Sequence, residues 1–177
     1  MNRYRKMTLE GAIGIIVIAL LSRMMPHPPN FAPITGIALF SGVYFSNKRW
    51  SLLLPLICLF LTDIFIGFHS LVVVVYGSFL IISAASLWLK NINFITVFGA
   101  SVFFFLTTNF GVWYLYYPHT WEGFTQCYVL AIPFFWNTLA GDLFYTAALF
   151  FAAEKLSSLN SHNLKGFFTF TPRGASH

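Results

Sequence analysis

Charge is scarce in this sequence. Asp, Glu, Lys and Arg make up 8% of its 177 residues, whereas an average soluble domain carries about 25%. Hydrophobic residues make up 58%, and the mean hydropathy is +0.73. So few charges cannot cover the surface of a water-soluble protein, which excludes the soluble globular classes. The composition predicts an integral membrane protein surrounded by a lipid bilayer, and the length predicts one domain.

Cysteines and catalytic motifs are equally sparse. The chain has two cysteines: Cys58 lies in the middle of an apolar run and Cys127 at the end of another, so we expect different depths and no disulfide. Nucleophile elbows, glycine-rich phosphate loops and zinc-protease motifs are all missing from the sequence. The sequence therefore predicts no catalytic residue and no cofactor.

Six apolar runs, separated by short polar breaks, predict six helices. A spanning helix needs about 20 apolar residues, and the second run is short for this length, so it either extends back into the preceding prolines or lies behind other helices. The predicted fold class is all-α, a six-helix transmembrane bundle over residues 1–153 followed by a polar tail, 154–177. The predicted helices are 8–25, 33–46, 51–68, 71–89, 94–117 and 128–153.

The basic residues predict the orientation of this bundle. Of the ten Lys and Arg residues, Arg23 alone falls on one side, and the other nine flank the opposite ends of the runs. Cytoplasmic flanks carry the excess of Lys and Arg, so both termini are predicted to be cytoplasmic. The nine are spread over four flanks rather than clustered, so no nucleic-acid partner is expected. They are Arg3, Arg5, Lys6, Lys48, Arg49, Lys90, Lys155, Lys165 and Arg173.

The stretch between the first two runs, residues 22–33, cannot be helical throughout. Its four prolines lack a backbone donor and push the preceding residues out of the helical region. The same stretch carries Arg23, His27 and Asn30. A stiff backbone that presents polar side chains is typical of a binding site, although a proline-rich turn between two membrane helices is the simpler alternative.

Polar side chains inside the apolar runs are costly in a membrane and need partners or a water-filled cavity. Asp63, Asn109, Asn137 and Asp142 are the candidates, and together with Arg23, His27 and Asn30 they predict a substrate-binding cavity open to the outside. Arg23 and Asp63 are expected to pair, or one of them to hold a charged group of the ligand. Hydrogen bonding between helices is the alternative for each of these residues.

A metal site is left open by the sequence. His27, His69 and His119 are all predicted on the outer side, as are Asp63 and Cys127, and these are side chains that bind transition metals. They come from separate loops, however, and no two have the i, i+3 or i, i+4 spacing of a helical metal site. Whether the three histidines converge is not decided by the sequence.

Several segments resemble a family of small uncharacterised bacterial membrane proteins. These are Ser22-Arg-x-x-Pro-His-Pro-Pro-Asn-Phe-x-Pro33, Ala38-Leu-Phe40, Asp63 after a leucine-rich run, Thr108-Asn-Phe-Gly-Val-Trp113 and Ala131-Ile-Pro-Phe-Phe-x-Asn-Thr-x-x-Gly-Asp142. That family is similar to the substrate-binding (S) components of energy-coupling-factor vitamin transporters, with the solitary cobalamin branch nearest.

The resemblance implies a six-helix protein of the bacterial inner membrane that binds a vitamin-like solute in an outward-facing cavity. His27 and Asp63 are the positions it implies as site residues, and closure of the first loop would gate the cavity. It also implies an energising ATPase module as a partner. The Ala-x-x-x-Ala pattern that serves docking to that module is missing from the first predicted helix.

Three functions are therefore in competition. A small-molecule importer, or its substrate-binding subunit, requires a cavity of ligand size. A metal-dependent intramembrane enzyme requires a compact polar cluster around a metal. A structural or assembly subunit requires only that the polar residues be used up in contacts between helices. The proline stretch with His27 favours the importer.

Overall fold

The computed structural model describes residues 9–45, 47–89 and 91–168. Within these ranges the chain forms six α-helices and no strand, which confirms the all-α prediction. The helices are α1 (Leu9–Met24), α2 (Ile34–Tyr44), α3 (Lys48–Ile66), α4 (Val72–Ser86), α5 (Phe94–Tyr116) and α6 (Trp121–Phe168).

The short helix α2 lies at the centre of the bundle. Nine of its 11 residues are buried, and it packs against α3, α4, α5 and α6. Its length of about 16 Å is half the thickness of a bilayer core. Of the two alternatives for the short second run, the structure therefore shows the one in which it lies behind other helices.

Apolar side chains are found on the outside of the bundle as well as in its core. Val73, Trp88, Ile95 and Trp121 are among the most exposed residues of the described chain, which reverses the usual pattern of a soluble protein. Three helices are long and apolar enough to cross a membrane, namely α3, α5 and the Trp121–Lys155 part of α6. The structure thus supports membrane association by length and composition.

Local capping explains where several helices begin and end. The Asn47 side chain accepts a hydrogen bond from the Arg49 N–H (3.0 Å), so α3 begins before residue 51, the predicted start. Asn93 forms a reciprocal capping box with Thr96 at the start of α5. Residues 87–89 follow α4 with i to i−3 hydrogen bonds, a tight turn of the 3₁₀ type, so α4 ends earlier than the predicted residue 89.

The prediction for the sixth helix was wrong at both ends. Residues 118–127 were predicted as a loop, but α6 begins at Trp121 because the Thr120 hydroxyl caps it by accepting from the Gly123 N–H (3.2 Å). The helix also continues past residue 153 to Phe168, so the predicted polar tail is helical over most of its length. Residues 169–177, the rest of that tail, lie outside the described ranges. At 48 residues, α6 is about 72 Å long.

One contact between α2 and α4 is closer than any residue but glycine allows. A Cβ atom at Gly42 would lie 2.6 Å from the Ser86 Cβ atom and 2.8 Å from the Ser86 carbonyl carbon. The Ser86 hydroxyl crosses the same interface and donates to the Ala38 carbonyl oxygen (3.0 Å). Gly42 therefore fixes the distance between the two backbones.

Candidate functional site

Two adjoining cavities lie between the proline stretch and helices α2 to α6. The first, here called the aromatic cavity, has a volume of about 390 Å³, and Phe104, Phe105, Phe134 and Phe135 form part of its wall. The second, here called the charged cavity, has a volume of about 350 Å³ and is lined by Arg23, His27 and Asp142, among others. The two share a wall of five residues: Asn30, His69, Val75, Phe104 and Thr138.

A tight turn in the proline stretch places Asn30 over both cavities. The Phe31 N–H donates to the Pro28 carbonyl oxygen (3.1 Å), and Asn30 has φ +65°. This is the geometry of a type II turn, in which Pro29 precedes a residue with positive φ, a place that favours Gly or Asn. The turn then packs on α6, where a Cβ at Gly141 would lie 3.0 Å from the Phe31 Cα.

The positive φ of Asn30 gives a first testable prediction, which concerns the stability of the turn. We expect Asn30→Ala to lower the free energy of unfolding by about 1 kcal/mol, because alanine pays a steric cost at positive φ. Asn30→Gly removes the same side chain but accepts this backbone conformation, so we expect a smaller loss. Thermal unfolding of the purified protein in detergent measures both variants. An equal loss in both would contradict the role assigned to the turn.

Arg23 and Asp63 form the ion pair that the sequence predicted. Arg23 Nη2 lies 3.1 Å from Asp63 Oδ1, with the two side chains 17% and 2% exposed. Tyr76 donates its hydroxyl hydrogen to the other carboxylate oxygen at 3.0 Å. This network joins α1, α3 and α4 and satisfies both oxygens of Asp63. Asp63 lies outside the lining of either cavity, so its carboxylate holds Arg23 rather than facing a ligand.

Asp142 has a different environment from Asp63. It is 2% exposed and lines the charged cavity. The Ser101 hydroxyl donates to its Oδ2 atom at 2.6 Å, and Thr35 lines the same cavity. Within the described ranges, no ion pair to Asp142 is observed. Asp142 is therefore a carboxylate that lines a cavity and is held by a neutral donor, the Ser101 hydroxyl.

The remaining predicted site residues are divided between the cavities and the protein around them. His27 is exposed at the charged cavity, with Nδ1 2.9 Å from the Pro28 carbonyl oxygen. Asn109 lines the aromatic cavity, and its side-chain amide donates to the Phe105 carbonyl oxygen (2.7 Å). Asn137 is half-buried and lies outside the lining of both cavities, because on a helix it points about 100° away from Thr138, which lines both.

The three outer histidines do not all meet. His27 and His69 both line the charged cavity, while His119 stacks on the Tyr114 ring and has Nε2 2.8 Å from the Tyr114 carbonyl oxygen. Among the described residues, no group of three His, Cys, Asp or Glu side chains could hold a metal ion. Cys58 and Cys127 are both free and buried.

Four contributors to the site were missed as site residues in the sequence. His69 and Thr138 line both cavities, and Thr138 could have been found from its position one helical turn before Asp142. Tyr76 and Ser101 hold the two aspartates. These two gave no local signal, because a lone tyrosine or serine in an apolar helix does not indicate which distant residue it contacts.

Fold and site together define a class: an all-helical protein with an apolar surface and two polar-edged cavities beside a proline-rich turn. Residues 5–164 match a family of unknown function (DUF6580), and the chain belongs to that family. The chain matches no curated protein and no solved structure at a significant level. The resemblance to S components of vitamin transporters thus stays a prediction.

Proposed function

We propose that this protein binds a small molecule from the outer side of a bacterial inner membrane, as an importer or as the substrate-binding subunit of one. The observation that carries the proposal is the pair of adjoining cavities, about 390 and 350 Å³ in volume. Ligand sites in proteins are typically about 300–1,000 Å³, mostly apolar, with a few placed polar groups. The aromatic walls with Asn30, His69 and Asp142 fit that description.

The topology belongs to the same proposal. All six helices cross the bilayer or fill it, with both termini in the cytoplasm, and the cavities open at the opposite face. The distribution of Lys and Arg supports this orientation. Lys48 begins α3, and the cavity residue His69 follows the other end of that helix, so the cavities lie at the end away from the basic flank.

The orientation can be measured with introduced cysteines. In a Cys58→Ser, Cys127→Ser background, we expect a membrane-impermeant thiol reagent to label His69→Cys in intact cells. Lys48→Cys should be labelled only after the membrane is opened, because it lies at the other end of α3, about 28 Å away. The reverse pattern would place both termini outside, and equal labelling of both in intact cells would show that α3 does not cross.

Gating follows from the proline stretch. The Pro28–Phe31 turn carries Asn30 across the wall shared by the two cavities, so its movement would open or close both at once. Closure over a bound ligand is a common way to isolate a site. The proposal concerns ligand binding and does not include the energy source for transport. An energising ATPase module would need a docking pattern on α1 other than Ala-x-x-x-Ala.

A structural subunit is the second candidate, and particular contacts favour it. Ser78 and Thr107 join α4 to α5 through their hydroxyls at 2.8 Å, and the Arg23–Asp63 pair joins α1 to α3. These polar groups are used up in helix contacts, as that function requires. Asp142, His27 and His69 are not explained in this way, because they line a cavity.

A ligand screen separates the two candidates. The purified protein would be heated in detergent with water-soluble vitamins, corrinoids, and cobalt, nickel and zinc ions. A ligand that binds the native state raises its apparent melting temperature. We expect at least one shift that His27→Ala abolishes and that His119→Ala, a histidine away from both cavities, retains. A shift that both variants retain would place binding elsewhere.

A further inference from the structure

The two oppositely charged residues that line the charged cavity, Arg23 and Asp142, differ in their partners. Arg23 forms an ion pair with Asp63. One carboxylate oxygen of Asp63 contacts Arg23, and the other accepts a hydrogen bond from Tyr76. Asp142 accepts a hydrogen bond from the Ser101 hydroxyl. A carboxylate offers about four acceptor sites, so this donor leaves room for further hydrogen bonds. The free acceptor capacity at the cavity wall therefore belongs to Asp142.

Arg23 is a poor site for an anionic group of a ligand. Its Nη2 atom faces Asp63, and its Nη1 atom is closed off from solvent and finds no acceptor in the described part of the chain. His27 and His69 are the other ionisable side chains that line this cavity. Of the two oppositely charged side chains in the lining, Arg23 is therefore already paired, whereas Asp142 has no cationic partner among the described residues.

The aromatic cavity begins where the charged cavity ends. Phe104 and Thr138 line both cavities, and Thr138 lies one helical turn before Asp142 on α6. Around Phe104 and Phe105 the wall consists of aromatic rings in contact. The ring centroids of Phe79 and Phe104 are 4.8 Å apart, and those of Phe105 and Phe135 are 5.1 Å apart. Aromatic faces attract flat rings and organic cations. A single molecule could therefore reach from Asp142 into an aromatic environment.

We propose that the ligand is an organic cation that joins a protonated amine or amidine to an aromatic ring. The cationic group donates to the Asp142 carboxylate, and the ring lies between the phenylalanines of the aromatic cavity. This inference rests on the proposed function, because it names the substrate class of the same site. It assigns Asp142 as the residue that selects charge, and the Arg23–Asp63 pair as support for the cavity wall.

Three indole compounds of similar shape test the inference. Tryptamine carries an ammonium group, tryptophol a hydroxyl and indole-3-acetate a carboxylate on nearly the same frame. We expect tryptamine to bind the detergent-solubilised full chain with a Kd about tenfold or more below that of tryptophol, since an ammonium donor bonds to a carboxylate more strongly than a neutral hydroxyl does. Indole-3-acetate should bind most weakly. Isothermal titration calorimetry measures all three.

Asp142→Asn is the matched variant, because it keeps the shape of the side chain and removes the charge. We expect it to abolish the preference for tryptamine over tryptophol. A second measurement uses the native chain, in case this variant does not fold. Tryptamine should protect Asp142 from coupling to glycine methyl ester by a water-soluble carbodiimide, as mapped by mass spectrometry, while the exposed Glu122 at the start of α6 reacts as before.

The outcomes separate this inference from the proposed function. Equal or tighter binding of tryptophol or indole-3-acetate, or a tryptamine preference that survives Asp142→Asn, overturns the cationic class while a binding site remains. Failure of all three compounds to bind, with no protection of Asp142, also overturns the inference. In that case the vitamin and metal-ion screen, with its His27→Ala control, decides the proposed function by itself.

Discussion

Asp63→Ala is expected to lower the free energy of unfolding by about 3–5 kcal/mol, the usual cost of removing one partner of a buried ion pair. The cost arises because Arg23, whose side chain is only 17% exposed, would lose its carboxylate partner. Tyr76 would lose its acceptor at the same time. Denaturant or thermal unfolding in detergent micelles, at a fixed protein-to-detergent ratio, measures the effect.

Two controls distinguish the ion pair from simple packing. Tyr76→Phe removes one hydrogen bond and leaves the pair, so we expect a loss of about 1 kcal/mol. The double variant Arg23→Met, Asp63→Leu replaces both charges by apolar groups and should recover most of the stability lost in Asp63→Ala. If the double variant were as unstable as the single one, the loss would come from side-chain volume rather than from an unpaired charge.

Gly42→Ala is expected to have a comparably large effect through a single methyl group. The new Cβ atom would approach Ser86 Cβ to 2.6 Å and the Ser86 carbonyl carbon to 2.8 Å, so α2 and α4 must separate. Overpacking a close-packed interior typically costs about 1–3 kcal/mol, and we expect the upper end or more. The reason is that α2 is enclosed by four helices and has little room to shift.

The matched control for this substitution is Gly77→Ala on α4. Nothing lies within 4 Å of a Cβ atom at Gly77, so the change should leave stability unaltered or raise it by about 0.5–1 kcal/mol through helix propensity. Ser86→Ala should not rescue Gly42→Ala, because the Ser86 Cβ and carbonyl carbon would still be present. Similar melting temperatures for the Gly42 and Gly77 variants would contradict the close contact between α2 and α4.

Charge and hydropathy along the sequence were enough to predict the helices and the ion pair between Arg23 and Asp63. The pair between Arg23 and Asp63 spans 40 positions, yet it could be predicted because both are charged groups of opposite sign at the same end of apolar runs. Helical periodicity would also have shown that Thr138, rather than Asn137, shares the face of Asp142. Asn137 was included in the predicted site because of its polarity alone, and it lies outside the lining of both cavities.

The start of α6 could not be predicted from composition. Residues 118–127 are polar enough to suggest a loop, but Thr120 and Glu122 are also suited to begin a helix, as a cap and as an acidic residue in the first turn.

Contacts that depend on the geometry between helices could not be predicted either. The packing of α2 on α4 depends on the close approach at Gly42, and the position of the proline turn depends on the close approach at Gly141. A glycine in a sequence does not indicate which neighbour comes close to it.

The central position of α2 sets the order in which the molecule can be assembled. The four helices that enclose α2 all follow it in the chain, so the ribosome makes the innermost helix before any of those neighbours. With 11 residues, α2 is also too short to be held in a bilayer as an independent span. Under the proposed topology, α2 enters the membrane late, as later helices arrive, and α1 with the stiff proline stretch tethers it near its destination meanwhile.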